Sequence, residues 1–167
     1  MSSEKHRAAT KIAIYPGTFD PITYGHEDLI SRATNIFERV IVAIADNAVK
    51  NPLFNLAQRI SMVQHALQNH NNVEVIGFSN LLVNVAHQYK ATIIIRGVRM
   101  TADFEYELQL ANMNRALMPK LETVFLTPSE RYSYVSSSLV KQIAMLGGDV
   151  SNFVNNNVMQ AFNSVIV

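Results

Sequence analysis

The chain has 167 residues, 49% of them hydrophobic and 16% charged, with a formal net charge of +1. That size and apolar content describe one globular domain with a substantial core, not a disordered chain. The near-neutral balance excludes a broad electrostatic field for nucleic acid, leaving room only for a local Arg/Lys cluster. The absence of cysteine excludes disulfides, thiolate chemistry and cysteine metal sites.

Residues 1–10 are polar, carry Lys5, His6 and Arg7, and lead into no long apolar run. They read as a frayed lead-in rather than a secretory signal. No apolar stretch approaches the length of a membrane span, so no membrane partner is expected and a cytoplasmic home fits. A single domain is expected over residues 11–167.

The first element is an apolar run over residues 12–15, a strand that should stop at Pro16-Gly17. The loop YPGTFDPITYGHED follows, and a helix starts near His26 with Leu29, Ile30, Ala33, Ile36, Phe37 and Val40 at helical spacing. Residues 40–45 form a continuous β-branched run, the mark of a strand buried on both faces. A polar loop over 46–55 carries Lys50. Asn55 and Gln58 then have capping-box spacing ahead of a helix face made by Leu56, Ile60, Val63 and Leu67. Strands are expected at 73–78, 91–95 and 121–126, with a short helix over 81–89. Residues 96–99, RGVR, read as a loop before a long helix over 102–117 that Pro119 stops. The tail carries two helices, 136–146 ending at Gly147-Gly148, and about 155–165.

Alternating strands and helices with two-sided apolar strands predict a Rossmann-like, doubly wound α/β domain. Its five parallel strands should run in the order 3-2-1-4-5, with helices on both faces and a helical C-terminal tail. Ligands of such sheets bind beyond the carboxyl ends of the strands where the order reverses. Thr18 and His26 after strand one, Lys50 after strand two, and Arg96 and Arg99 after strand four all fall at that end. A strand, glycine-bearing loop and helix also present free N–H groups to an anion. The residue types taken singly fit plainer readings equally well. His26 suits a surface helix start, two loop arginines are usually solvated, and Glu107 suits an exposed helical charge. Ser136, Ser137 and Ser138 suit a simple N-cap. His65, His70 and His87 have no ligand-like grouping and read as surface residues, and the methionines read as core filler.

The order of residues says more. Thr23-Tyr24-Gly25-His26 resembles the T/HxGH signature of the nucleotidyltransferase superfamily. With GTFDP just ahead of it, it resembles the bacterial phosphopantetheine adenylyltransferases in particular. The run IIIRGVR followed by ADFEYELQLANMNRALMP is similar to the family's helix whose glutamate contacts ATP, here Glu107. VSSSLVK is similar to the ISSSxxR/K motif. With three linked motifs in the right order and spacing, the resemblance covers nearly the whole chain, from about residue 11 to residue 148. Asn80 departs from the pattern, standing where an aspartate is common, which bears on acceptor contacts.

The resemblance implies transfer of the adenylyl group of ATP to 4′-phosphopantetheine, giving dephospho-coenzyme A and pyrophosphate. It implies that His26 stabilises charge at the reacting phosphorus. It also implies that Thr18, Lys50, Arg96 and Leu82 handle the acceptor. Thr18, Phe19, His26, Gly97, Val98, Arg99, Glu107, Tyr132, Ser133, Tyr134, Val135, Ser136, Ser137 and Ser138 would form the ATP side. Mg²⁺ would accompany ATP, with no dedicated protein cage. The family also implies a homohexamer, and coenzyme A is a candidate feedback ligand, although the sequence does not show such control. Two rival readings are a sister transferase with another acceptor, such as nicotinamide mononucleotide or glycerol phosphate, and a non-catalytic nucleotide-binding module. The TxGH form and the RGVR…FEYE segment argue against the first.

Overall fold

A computed structural model describes residues 11–46 and 51–165. The expected lead-in over residues 1–10 lies outside the described residues. Among those described, five strands form one parallel sheet in the order β3-β2-β1-β4-β5. The elements in chain order are β1 (Ile12–Gly17), α1 (Tyr24–Thr34), β2 (Arg39–Ala45), α2 (Leu56–Ala66), β3 (Val73–Phe78) and α3 (Leu82–Gln88). They continue with β4 (Ile93–Gly97), α4 (Thr101–Leu117), β5 (Glu122–Leu126), a 3-10 turn (Glu130–Tyr132), α5 (Ser137–Met145) and α6 (Asn156–Asn163). The expected architecture and strand order are those observed. No helix among the described residues is long and apolar enough to cross a membrane.

Alternation along the central strands divides the core in two. Ala13, Tyr15, Val40, Val42, Ile44 and Ile95 face one side, where they pack with Leu29, Ile30 and Ala33 of α1 and Met62 and Val63 of α2. Val140 and Ala144 of α5 and Val158 and Phe162 of α6 complete that layer. Ile14, Ile41, Ala43 and Ile94 face the other side, against Val85 and Ala86 of α3 and Leu121. The two tail helices therefore belong to the larger core.

Three boundaries differ from the sequence reading, each for a physical reason. β1 continues through Pro16 and Gly17, which stay in register with Ala43 and Ile44 of β2. Its ladder to β4 comprises Ala13↔Ile93 and Ile14↔Ile94, so no β4 partner demands the amide hydrogen that Pro16 lacks. β4 reaches Arg96 and Gly97 because β5 pairs with both, Arg96 opposite Phe125 and Gly97 opposite Leu126. α1 starts at Tyr24, two residues early, because Thr23 is its N-cap and His26 falls at the third helical position.

The methionines only partly fill the core. Met62 is buried, whereas Met100, Met113 and Met145 are exposed. His65 and His87 are exposed and His70 half-buried, as expected of surface residues.

Ile14 sits fully buried at the centre of the sheet, between β2 and β4. Ile14→Ala should destabilise the fold by about 2–5 kcal/mol, from lost transfer free energy plus the cavity left behind. Urea unfolding followed by circular dichroism measures this. A loss below about 0.5 kcal/mol would mean that this layer is not close-packed.

Candidate active site

The strand order reverses between β1 and β4, and a cavity of about 520 Å³ opens beyond their carboxyl ends. Its walls come from four places: the β1–α1 turn, the first turn of α1, the end of β4 with α4, and the segment leading into α5.

The β1–α1 turn is shaped by one close approach. Phe19 adopts a left-handed conformation, φ 49°, and folds its ring back under the turn. A Cβ on Gly17 would lie 2.8 Å from that ring, so a glycine is needed there. The Phe19 ring is buried, edge-on to Tyr15 at 5.5 Å and 5.0 Å from the His26 ring. The two aromatic rings of Tyr15 and Phe19 thus form a wall beside the histidine.

His26 is oriented by its own helix cap. The amide of Thr23 donates to Nδ1 at 3.1 Å, and the Thr23 hydroxyl lies 3.0 Å from the same nitrogen. A nitrogen that accepts an amide N–H carries no proton, so the neutral ring holds its hydrogen on Nε2. His26 lines the cavity, and Nε2–H is therefore the donor it has to offer there. Burial, assisted by the nearby Arg99 charge, pushes its pKa from 6.5 down to about 4, so the ring is neutral at physiological pH. Tyr15 beneath it also stays neutral, because burial raises its phenol to about 12 against the opposing pull of Arg96 and Arg99.

Among the described residues, the three cations of the cavity wall, Arg96, Arg99 and Lys141, each pair with a carboxylate. Arg96 forms a two-pronged pair with Glu107, one prong at 2.6 Å, and donates to the Pro16 carbonyl at 3.1 Å. Both partners are mostly shielded from solvent, with side chains 23% and 12% exposed. Arg99 bonds Asp103 at 3.3 Å and the Val135 carbonyl at 3.1 Å. Lys141 pairs with Asp20, whose carboxylate also accepts the amides of Leu53 and Phe54, each at 2.9 Å. The cavity is therefore cation-lined yet nearly charge-balanced. An anionic ligand has preformed partners that it reaches by exchanging with Glu107, Asp103 or Asp20.

Opposite His26, Ser136 caps α5 through its hydroxyl, which accepts the Leu139 amide at 3.2 Å. Ser137 anchors the same helix start to the β1–α1 turn by donating to the Pro21 carbonyl at 2.7 Å. The amides of Ser137 and Ser138, the first two of α5, have no intrahelical acceptor, and both residues line the cavity, where a helix start suits an anion. Asp28 of α1 accepts the amide of Ser129 at 2.9 Å, which holds the 3-10 turn and Tyr132 against α1. The plain reading of the serines as an N-cap is therefore partly true, since Ser136 caps α5 while also lining the site.

The structure brings together Thr18, Phe19, His26, Arg96, Gly97, Arg99, Glu107, Tyr132, Val135, Ser136, Ser137 and Ser138. Lys50 lies outside the described residues. Leu82, Val98, Ser133 and Tyr134 are not in the cavity wall. Leu82 packs into the smaller core on the far face of the sheet, and Tyr134 is 65% exposed, edge-on to Phe153. Leu82 is one of the residues that the resemblance places on the acceptor side; in this structure it opens α3 beneath the sheet.

Sequence reading missed Asp20, Arg59 and Lys141. Asp20 and Lys141 stand inside GTFDP and SSSLVK, but nothing in a linear motif shows that they pair across 121 positions. Arg59 had a usable signal: it falls three after Leu56 and four before Val63, on the apolar face of α2. A cation at such a position is either solvent-reaching or buried with partners, and here it is fully buried.

Among the described residues no group of three or more His, Asp or Glu is placed to hold a metal ion. The two carboxylates in the cavity wall, Asp20 and Glu107, are already engaged by Lys141 and Arg96. That donor set suits a divalent ion arriving on the oxygens of a polyphosphate.

The fold matches solved nucleotidyltransferases at low sequence identity. A Vibrio parahaemolyticus chain provisionally assigned as a nicotinate-nucleotide adenylyltransferase superposes with a TM-score of 0.70 at 16% identity, over 93% of each chain. The Plasmodium falciparum nicotinic acid mononucleotide adenylyltransferase complexed with APC gives 0.67 at 15% identity, over 92% of this chain and 98% of that one. In sequence, the cytidylyltransferase-like family model matches residues 14–143. A phosphopantetheine adenylyltransferase of Thioalkalivibrio sulfidiphilus (strain HL-EbGR7) is 55% identical over 153 residues, 92% of this chain and 96% of that protein. With a family model matching residues 14–143 and a relative of that identity along nearly its full length, the chain belongs to the cytidylyltransferase-like family, among the phosphopantetheine adenylyltransferases.

Proposed function

We propose that the chain transfers the adenylyl group of ATP to 4′-phosphopantetheine, giving dephospho-coenzyme A and pyrophosphate. The observation that carries the chemistry is the Thr23 amide bond to His26 Nδ1, which leaves a neutral Nε2–H donor at the cavity wall. Close sequence relatedness supports the acceptor. The nucleophile is a phosphate oxygen, already anionic at neutral pH, so the reaction calls for alignment and charge stabilisation and needs no general base. One P–O bond forms from the acceptor phosphate to the α-phosphorus as the bond to the departing pyrophosphate breaks, in line.

In this reading His26 donates to a non-bridging α-phosphate oxygen, where charge redistributes during attack. The start of α5 with Ser136 to Ser138, together with Arg99, takes the β- and γ-phosphates. Thr18, Arg96 and Lys50 take the acceptor phosphate. Glu107 holds Arg96 in a defined orientation until an anion competes for it. Mg²⁺ enters as part of the nucleotide substrate, held largely by phosphate oxygens and water. A cytoplasmic setting and feedback by coenzyme A at this site are consistent with the reading.

The acceptor is tested with a panel. Pyrophosphate release from MgATP should require 4′-phosphopantetheine, and pantetheine without its phosphate should be inert because the nucleophile is missing. Equal turnover with nicotinamide mononucleotide would move the chain to the sister transferases.

Removing one donor to developing charge typically costs about 10²–10³ in kcat. His26→Ala should show that loss while its ATP Kd stays near that of the parent, because the contact strengthens only in the transition state. The folded pKa of about 4 lies below the unfolded 6.5, so between these values the unfolded chain binds more protons. Stability should therefore fall as pH drops through that window, and His26→Ala should lessen the fall. Near-normal kcat in the variant would remove His26 from the mechanism.

We also propose a homohexamer. Its support within the chain is the apolar surface of α4, where Tyr106, Met113 and Leu117 are 61–63% exposed. Light scattering at micromolar concentration and moderate salt should give about six chain masses, and a monomer would reject the assembly.

A further inference from the structure

We propose that the Tyr15 hydroxyl is a binding contact for the nucleoside part of ATP, separate from the cationic wall that takes the phosphates. The inference rests on the reading above, in which the cavity holds ATP, and adds a residue to its nucleotide side.

Tyr15 stands on β1 and is only 6% exposed, yet it lines the cavity. Among the described residues no group hydrogen-bonds its hydroxyl. Nor is that oxygen sealed inside the protein, since among the described residues the enclosed side-chain atom without a partner is Arg59 Nη2. The hydroxyl therefore opens onto the cavity that its residue lines.

Gly97 keeps the approach free. A Cβ there would lie 3.3 Å from the Tyr15 hydroxyl and 2.6 Å from Leu29 Cδ1. The hydroxyl thus sits beside the end of β4, against a residue with no side chain and near a leucine of α1. The Phe19 ring stands edge-on to the Tyr15 ring at 5.5 Å.

An unpartnered hydroxyl in so enclosed a place is unfavourable, because the group leaves bulk water without a replacement bond. Phenylalanine would fill the same space without that loss. A partner arriving with the ligand accounts for the hydroxyl. Burial also holds the phenol neutral, with a pKa of about 12, although Arg96 and Arg99 pull it down. It can therefore both donate and accept, a capacity that the uncharged polar atoms of a nucleoside match.

The surroundings select the part of the ligand. Phosphates call for positive charge and helix-start amides, which Arg96, Arg99, Lys141 and the start of α5 supply elsewhere on the wall. Leu29, Phe19 and Gly97 supply neither. An apolar niche with one neutral hydroxyl suits a ribose hydroxyl or a base nitrogen. Gly97, which borders the hydroxyl, belongs to the ATP side in this reading, so the contact falls on the nucleotide and not on the acceptor.

The test is Tyr15→Phe, which removes the oxygen alone. Thermal unfolding is followed by circular dichroism. Calorimetry gives Kd for MgATP and for magnesium tripolyphosphate, which carries the phosphates without the nucleoside. Pyrophosphate release gives KM for 4′-phosphopantetheine. The expected variant unfolds at the parent's Tm or higher, because no bond within the protein is lost. Its MgATP Kd weakens by about 3–10-fold, while tripolyphosphate Kd and acceptor KM stay within about twofold. A tripolyphosphate Kd that weakens in step makes Tyr15 a phosphate contact and overturns the proposal. So does a selective rise in acceptor KM. A lowered Tm or failure to fold overturns it too, since the hydroxyl then supports the fold. A parent that binds MgATP but not tripolyphosphate does the same, because the cationic wall then does not hold phosphates by itself. A parent that binds no MgATP removes the nucleotide reading and this inference with it. A parent and variant that bind MgATP equally well remove only the role of Tyr15.

Discussion

The site depends on one local hydrogen bond within a helix cap, from the Thr23 amide to His26 Nδ1 at 3.1 Å. A helix has orphan amides at its start, and a side chain at the third position that returns to the cap residue satisfies one of them. Histidine in that place does two things at once. It closes the cap, and it commits its proton to the other nitrogen. Local folding of α1 and the donor chemistry of the site are thereby one event. The aromatic wall of Phe19 and Tyr15 keeps the ring apart from bulk water, and burial with the Arg99 charge keeps it neutral. A neutral donor suits a reaction whose charge redistributes among phosphate oxygens without a proton being transferred.

Charge around the cavity follows a complementary logic. Arg96, Arg99 and Lys141 each hold a carboxylate, so among the described residues these cavity cations are ordered before any anion arrives. Ordered partners reduce the rotamer entropy lost on binding. The carboxylates also discriminate, because a ligand must bring enough negative charge to displace them. The Arg96–Glu107 pair joins the end of β4 to α4 and, through the Pro16 carbonyl, to β1, so three elements of the cavity wall share one arginine.

Much of this was legible in the sequence. The runs of β-branched residues at 40–45 and 91–95 carry the two-sided burial that makes a parallel sheet, and the strand order follows from where the helices must cross. The capping box at Asn55 and Gln58 forms as spaced, with reciprocal bonds of 2.9 and 3.0 Å. Linear motifs were enough to bring twelve of the candidate site residues to one cavity. What escaped depends on pairing in three dimensions. Pro16 looked like a strand breaker because its missing amide matters only where a neighbour needs it. Arg96 and Gly97 looked like loop because β5, thirty residues on, extends their strand. Arg59 bonds backbone carbonyls, and Asp20 bonds two backbone amides besides a lysine 121 positions away, partnerships that no local side-chain pattern reveals.

The central claim is the protonation state of one ring, and ¹⁵N NMR of the His26 imidazole addresses it directly. The account predicts a neutral ring with a pyrrole-type Nε2 and a pyridine-type Nδ1, its shifts constant from roughly pH 5.5 to 8, where an ordinary histidine titrates. Protonation with a midpoint near 6.5, or a proton resident on Nδ1, would contradict it. Either result would mean that Thr23 does not set the tautomer and that Nε2–H is not the donor on which the proposed mechanism relies.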